Sequence, residues 1–119
     1  QPPDGLPYAF CLALTPVAHP GRRRDYLQHC VDGTASEAGF HLHHAPKLAG
    51  KILKMQASYW PTDSMADAAG DALLANELDT PTFVVLGGQD LNVPQQVSEH
   101  LHRVAHRVVV LCRHGHELC

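Results

Sequence analysis

The sequence lacks any apolar stretch long enough to cross a bilayer. Its longest such runs, around Tyr8 to Leu14 and Val108 to Cys112, fall far short of the roughly 20 residues that a membrane helix requires. No membrane span is expected, and the chain reads as soluble. An excess of one charge is missing as well: 9 Lys and Arg stand against 12 Asp and Glu, a formal charge of −3, which argues against a highly basic nucleic-acid binder. No nucleic-acid partner is expected. Cysteine is sparse, and Cys11, Cys30, Cys112 and Cys119 are spread too widely for a disulfide-dense miniature fold, so buried free thiols are expected. Repeats are absent. No basic segment leads into a hydrophobic stretch, so no signal peptide is visible. The start at Gln1 and the stop at Cys119 are read as cuts, and a fragment is expected, with a cytoplasmic location favoured.

What is present suffices for one small domain or part of a larger one: 119 residues, 45% apolar and 18% charged. Histidine is the abundant titratable residue, at ten copies, so stability or solubility is expected to weaken on acidification. Tyr8 to Leu14, bounded by Pro7 and Thr15-Pro16, reads as a buried strand. From His19 to Gly33 a turn, the basic cluster Arg22 to Arg24 and the spacing of Tyr26, Leu27, Cys30 and Val31 predict a short amphipathic helix. Pro46 opens a second helix, with Leu48, Ile52, Met55 and Tyr59 expected on its apolar face and Lys47, Lys51 and Lys54 on a solvated one. Beyond Pro61, Thr62 or Ser64 can cap a third helix carrying Met65, Ala68, Ala69, Ala72 and Leu73.

After Pro81 the character changes. Thr82 to Leu86 is a β-branched run without polar interruption, as expected for a strand covered on both faces. Gly87-Gly88 stops it, and Pro94, Val97, Leu101 and Val104 mark a helix ending near His106. Val108 to Cys112 then completes a strand, helix, strand unit with room for a parallel crossover. The expected class is therefore α/β: 1–19 a core strand region, 20–77 a helical insertion, and 78–119 the core unit.

In open parallel sheets reactive residues gather beyond the carboxyl ends of strands. Asp90 lies four positions past Leu86, and His116 four past Cys112, on loops expected to be neighbours. A carboxylate facing an imidazole there can fix the ring's tautomer and stabilise its protonated form, which is what a general base needs.

Pro81, the strand to Leu86, Gly87 to Asp90, Val93-Pro94, the helix through Val104, the strand to Cys112 and Gly115-His116-Glu117 together resemble the late core of the α/β-hydrolases. The resemblance covers about 40 residues. It implies a partial α/β-hydrolase fold with parallel core strands and a helical lid over about 20–77, Asp90 as triad acid and His116 as triad histidine. It further implies a small-molecule ester or amide substrate, with Tyr59 and Trp60 as candidates to line its pocket or to seal lid against core. No cofactor and no metal are implied. The family's Gly-x-Ser-x-Gly elbow does not occur in these residues. Ser36, among Gly33 and Gly39, has the wrong spacing and no preceding strand. The partner expected is thus the missing N-terminal part of the same domain, and the piece alone should be inactive and marginally stable.

Two rival readings use the same residues. Cys112, His114, His116 and Cys119 offer zinc ligands, as do His41, His43 and His44, but without the separated knuckles of structural sites. A noncatalytic binding or scaffold protein of the same fold would keep the dyad and lack turnover.

Overall fold

Proline at the first helical positions and an aromatic-aliphatic stripe are enough to start the first helix. In the computed structural model, which describes residues 8–34, 41–75, 78, 80–98 and 101–111, α1 runs over Pro20–Asp32. His19 caps it, its Nδ1 accepting the Arg22 amide at 3.0 Å. Gly33 ends it in the left-handed region at φ 71°, where a side chain would be strained, and its N–H returns to the His29 carbonyl. A 3-10 helix at His41–His44 precedes α2 (Pro46–Tyr59), and Thr62 Oγ accepts the Met65 amide at 3.2 Å to cap α3 (Asp63–Ala75).

The strands form one parallel sheet in chain order. β1 (Cys11–Leu14) pairs with β2 (Thr82–Gly87), and β2 pairs with β3 (Arg107–Leu111). The expected first strand is shortened at its start, since Tyr8 to Phe10 stay outside the ladder. Between β2 and β3 the expected single helix contains two four-residue helices, α4 (Gln95–Ser98) and α5 (Leu101–Val104). The α/β class and the parallel strand, helix, strand unit stand as read. No helix among the described residues is long and apolar enough to cross a membrane.

Two cores result. The helical one joins Tyr26, Leu27 and Cys30 of α1, Leu42, and Ala49 and Ile52 of α2 to Val93 and Val97, which follow β2. The second packs Ala18 and Leu73 of α3 with Leu101 and Val104 of α5 onto Ala13, Val84, Leu86, Val108 and Val110, one face of the sheet. The opposite face corrects the expectation of a sheet covered on both sides. Register places Leu12 beside Phe83, and Leu14 beside Val85 and then Val109. Of these, Leu12, Leu14, Phe83 and Val109 are exposed, as is Phe10, which meets Phe83 edge to face at 6.2 Å.

The helix faces also differ from the sequence reading. On α2 the buried side chains are Ala49, Ile52 and Gln56, whereas Leu48, Met55 and Tyr59 are exposed. Lys47, Lys51 and Lys54 are solvated as expected. On α3 the buried positions are Ala66 and Gly70, and Met65, Ala68 and Ala72 face solvent. The reason is steric. A Cβ on Gly70 would collide with the His19 ring, so α3 meets the start of α1 through its smallest residue rather than its most apolar ones.

Candidate functional site

The turn after β2 is built from its glycines. Gly88 donates to the Leu111 carbonyl at 2.9 Å, which ties the turn to the end of β3, and Asp90 N–H closes it on the Gly87 carbonyl at 3.2 Å. Asp90 is thereby set at the carboxyl end of the central strand and is only 3% exposed. Its Oδ1 accepts the Asn92 and Val93 amides at 2.8 and 2.9 Å, so two backbone dipoles fix one oxygen of the carboxylate. These amides precede α4, so the carboxylate orders its own turn rather than the helix's first residues. At the neighbouring strand tip Thr15 sits just past β1 with φ 46°, an uncommon conformation for a β-branched residue, and donates to the Val85 carbonyl at 2.8 Å.

The helical layer reaches this turn through Arg23, from the basic cluster Arg22 to Arg24, and through Tyr26. Arg23 is buried, and its Nε donates to the Asn92 carbonyl at 3.1 Å while Nη2 donates to Asn92 Oδ1 and Nη1 to Gln56 Oε1 at 3.3 Å. Gln56 is buried too and donates to the Pro20 carbonyl at 2.8 Å. Burial pushes the Arg23 guanidinium below its ordinary range, with the nearby Asp90 and then Tyr26 pulling it back up. Tyr26 donates its hydroxyl to the Leu91 carbonyl at 2.7 Å, and burial raises that phenol well above the usual value, with Cys30 adding to the rise. The signal was present: 23, 26, 27 and 30 stand at i, i+3, i+4 and i+7, so Arg23 lies on the buried stripe. Arg24, by contrast, faces outward among Asp25, Asp63 and Asp67.

Of the residues read as site residues, His116 lies outside the described residues, as do Cys112, His114 and Cys119 of the zinc alternative and Ser36. Among the described residues no cluster of three or more metal-ligating side chains occurs. Tyr59 is 71% exposed and stands against Trp60, with ring centroids 6.0 Å apart. Trp60 is half-buried and lines an apolar cleft of about 400 Å³ with Ala13, Pro16, Val17, Ala69 and Leu73, between the covered sheet face and α3. Asp90 does not line that cleft, nor does Tyr59. Trp60 and Asp90 thus have separate surroundings among the described residues. The thiols divide likewise: Cys30 is buried, but Cys11 is exposed, contrary to expectation.

No protein-family model, curated protein or solved structure matches the chain.

Proposed function

We propose that this chain is the lid, acid and histidine portion of a serine-type α/β-hydrolase acting on a small ester, amide or related carbonyl compound, with the nucleophile on chain outside these residues. One observation carries the reading: a buried carboxylate, Asp90, in a hydrogen-bonded turn at the carboxyl end of the central strand of a parallel sheet, tied to the end of the next strand. The expected chemistry is nucleophile attack on the carbonyl, with His116 taking the proton and returning it to the leaving group. Asp90 orients the ring and stabilises its charge. Two amides on Oδ1 suit that role, because they fix the carboxylate's rotation before substrate arrives. The bare sheet face supports the partner proposed with it, the remaining part of the same domain, since parallel sheets are ordinarily covered on both sides.

The test uses the complete protein beside the 119-residue chain. A fluorophosphonate should label the former and not the latter. His116→Ala and Asp90→Asn should each lower ester turnover by roughly three orders of magnitude or more. Near-normal turnover in either variant would sink the triad assignment. A complete protein that neither labels nor turns over esters would favour the noncatalytic binding role.

A further inference from the structure

Three hydrogen bonds run from α1 to the two residues that follow Asp90: Arg23 Nε and Nη2 to Asn92, and Tyr26 Oη to the Leu91 carbonyl. Asn92 then gives its own amide to Asp90 Oδ1. Arg23 thus holds the Asn92 carbonyl, whose peptide carries the Val93 N–H, and Tyr26 holds the Leu91 carbonyl, whose peptide carries the Asn92 N–H, so neither amide on Asp90 Oδ1 has much freedom to rotate away. Gln56 of α2 braces the guanidinium from the other side. The bonds lie against an apolar wall, because Val93 and Val97 belong to the same core as Tyr26 and Leu27. A guanidinium this buried is costly to leave unpaired, so its fork enforces the turn's geometry rather than following it.

We propose that Arg23 and Tyr26 are positioning residues for Asp90, making the first helix of the 20–75 segment and the acid turn one mechanical unit. Displacing α1 would release Asn92 and with it the amide that orients Asp90. Any motion of the helical segment is therefore confined to parts other than α1. The catalytic consequence rests on the hydrolase reading; the mechanical coupling does not.

Amide hydrogen exchange, read by NMR on the 119-residue chain, tests the coupling. Arg23→Met should speed exchange at Asn92 and Val93 by about tenfold while Val84 and Val85 in the sheet and Leu53 in α2 change little. Arg23→Lys, which keeps the charge and loses the fork, should not restore protection. Unchanged exchange at Asn92 and Val93, an equal loss throughout α1 and α2, or full rescue by lysine would each overturn the proposal. Should Arg23→Met fail to fold, Tyr26→Phe decides: faster exchange at Asn92 supports the clamp, and wild-type exchange refutes it. In the complete protein, Tyr26→Phe and Arg23→Lys should lower kcat and leave KM near its original value. Weakened exchange protection with unaltered kcat would remove the positioning role, whereas a wild type without turnover would instead remove the hydrolase reading and leave the exchange result standing.

Discussion

The helical layer and the sheet solve the same problem unequally. Tyr26, Leu27, Cys30, Leu42, Ala49 and Ile52 close around one another and around Val93 and Val97, a buried cluster that leaves Leu48, Met55 and Tyr59 of α2 outside it. The sheet, with its three strands, has one face under α3 and α5, while Leu12, Leu14, Phe83 and Val109 on the other stand in solvent. Apolar burial stabilises in proportion to the area removed from water, so the chain's stability is concentrated in the helices and the acid turn they grip. The sheet supplies position more than it supplies stability. Asp90 sits where the two meet: aimed by the strand, held by the helix.

The sharpest way to break this contrast is to open a cavity on each side. Leu27 is fully buried, and Leu27→Ala should cost about 2–5 kcal/mol in urea unfolding. Leu14→Ala, on the bare face, should cost well under about 1 kcal/mol. Equal losses would mean that the two regions are equally packed. The α1–α3 seam comes next. Because a Cβ on Gly70 would meet the His19 ring, Gly70→Ala should destabilise by about 1–3 kcal/mol, and a smaller side chain in place of His19 should recover part of it. Additive losses in the double variant would show that the two do not touch.

Alkaline pH sharpens the contrast further, since Tyr26 and Cys30, whose acid groups are shifted, lie in the helical core. Burial raises the Tyr26 phenol and the Cys30 thiol above their ordinary values. Between the unfolded and folded values the native chain holds more protons than the unfolded one, so stability falls as pH rises. The contribution is complete below the free thiol's range, near about pH 8.5, and is lost through that range and then the phenol's. Tm should drop by roughly 4–8 °C between about pH 8 and 11, and Tyr26→Phe should flatten the upper part of that curve. An unchanged slope in the variant would place the effect elsewhere.

Much of this was legible in the residues and some was not, for definable reasons. Thr82 to Gly87 and Arg107 to Leu111 are apolar and β-branched between turn signals, so strand identity, parallel pairing and the position of Asp90 at a strand tip could all be read. Periodicity on α2 was ambiguous, because Leu48, Ile52, Met55 and Tyr59 recur at helical spacing as well as Ala49, Ile52 and Gln56 do, and ranking by hydrophobicity picked the wrong set. What decided the face was a buried polar demand: Gln56 is needed to satisfy Arg23 and the Pro20 carbonyl. Arg23 was hidden by its neighbours Arg22 and Arg24, although its own spacing from Tyr26 and Leu27 set it apart. Composition carries no information on the bare face, since an apolar strand reads the same whether one face or both are covered.

That last point gives the smallest expected effect and the most direct test of what the sheet is for. Leu14→Lys puts a charge among Leu12, Phe83, Val85 and Val109. In the 119-residue chain the site is already wet, so stability should move by no more than about 0.5 kcal/mol, and light scattering should report less self-association as the apolar patch is broken. In a complete domain that covers this face the same lysine would have to be buried, and the loss should reach several kcal/mol. A large loss in the chain alone would mean that something already covers the face, most simply a second copy, and a concentration-dependent Tm would identify it. A small loss in both settings would mean that the face is built for water, and the case for a larger sheet would then rest on Asp90 alone.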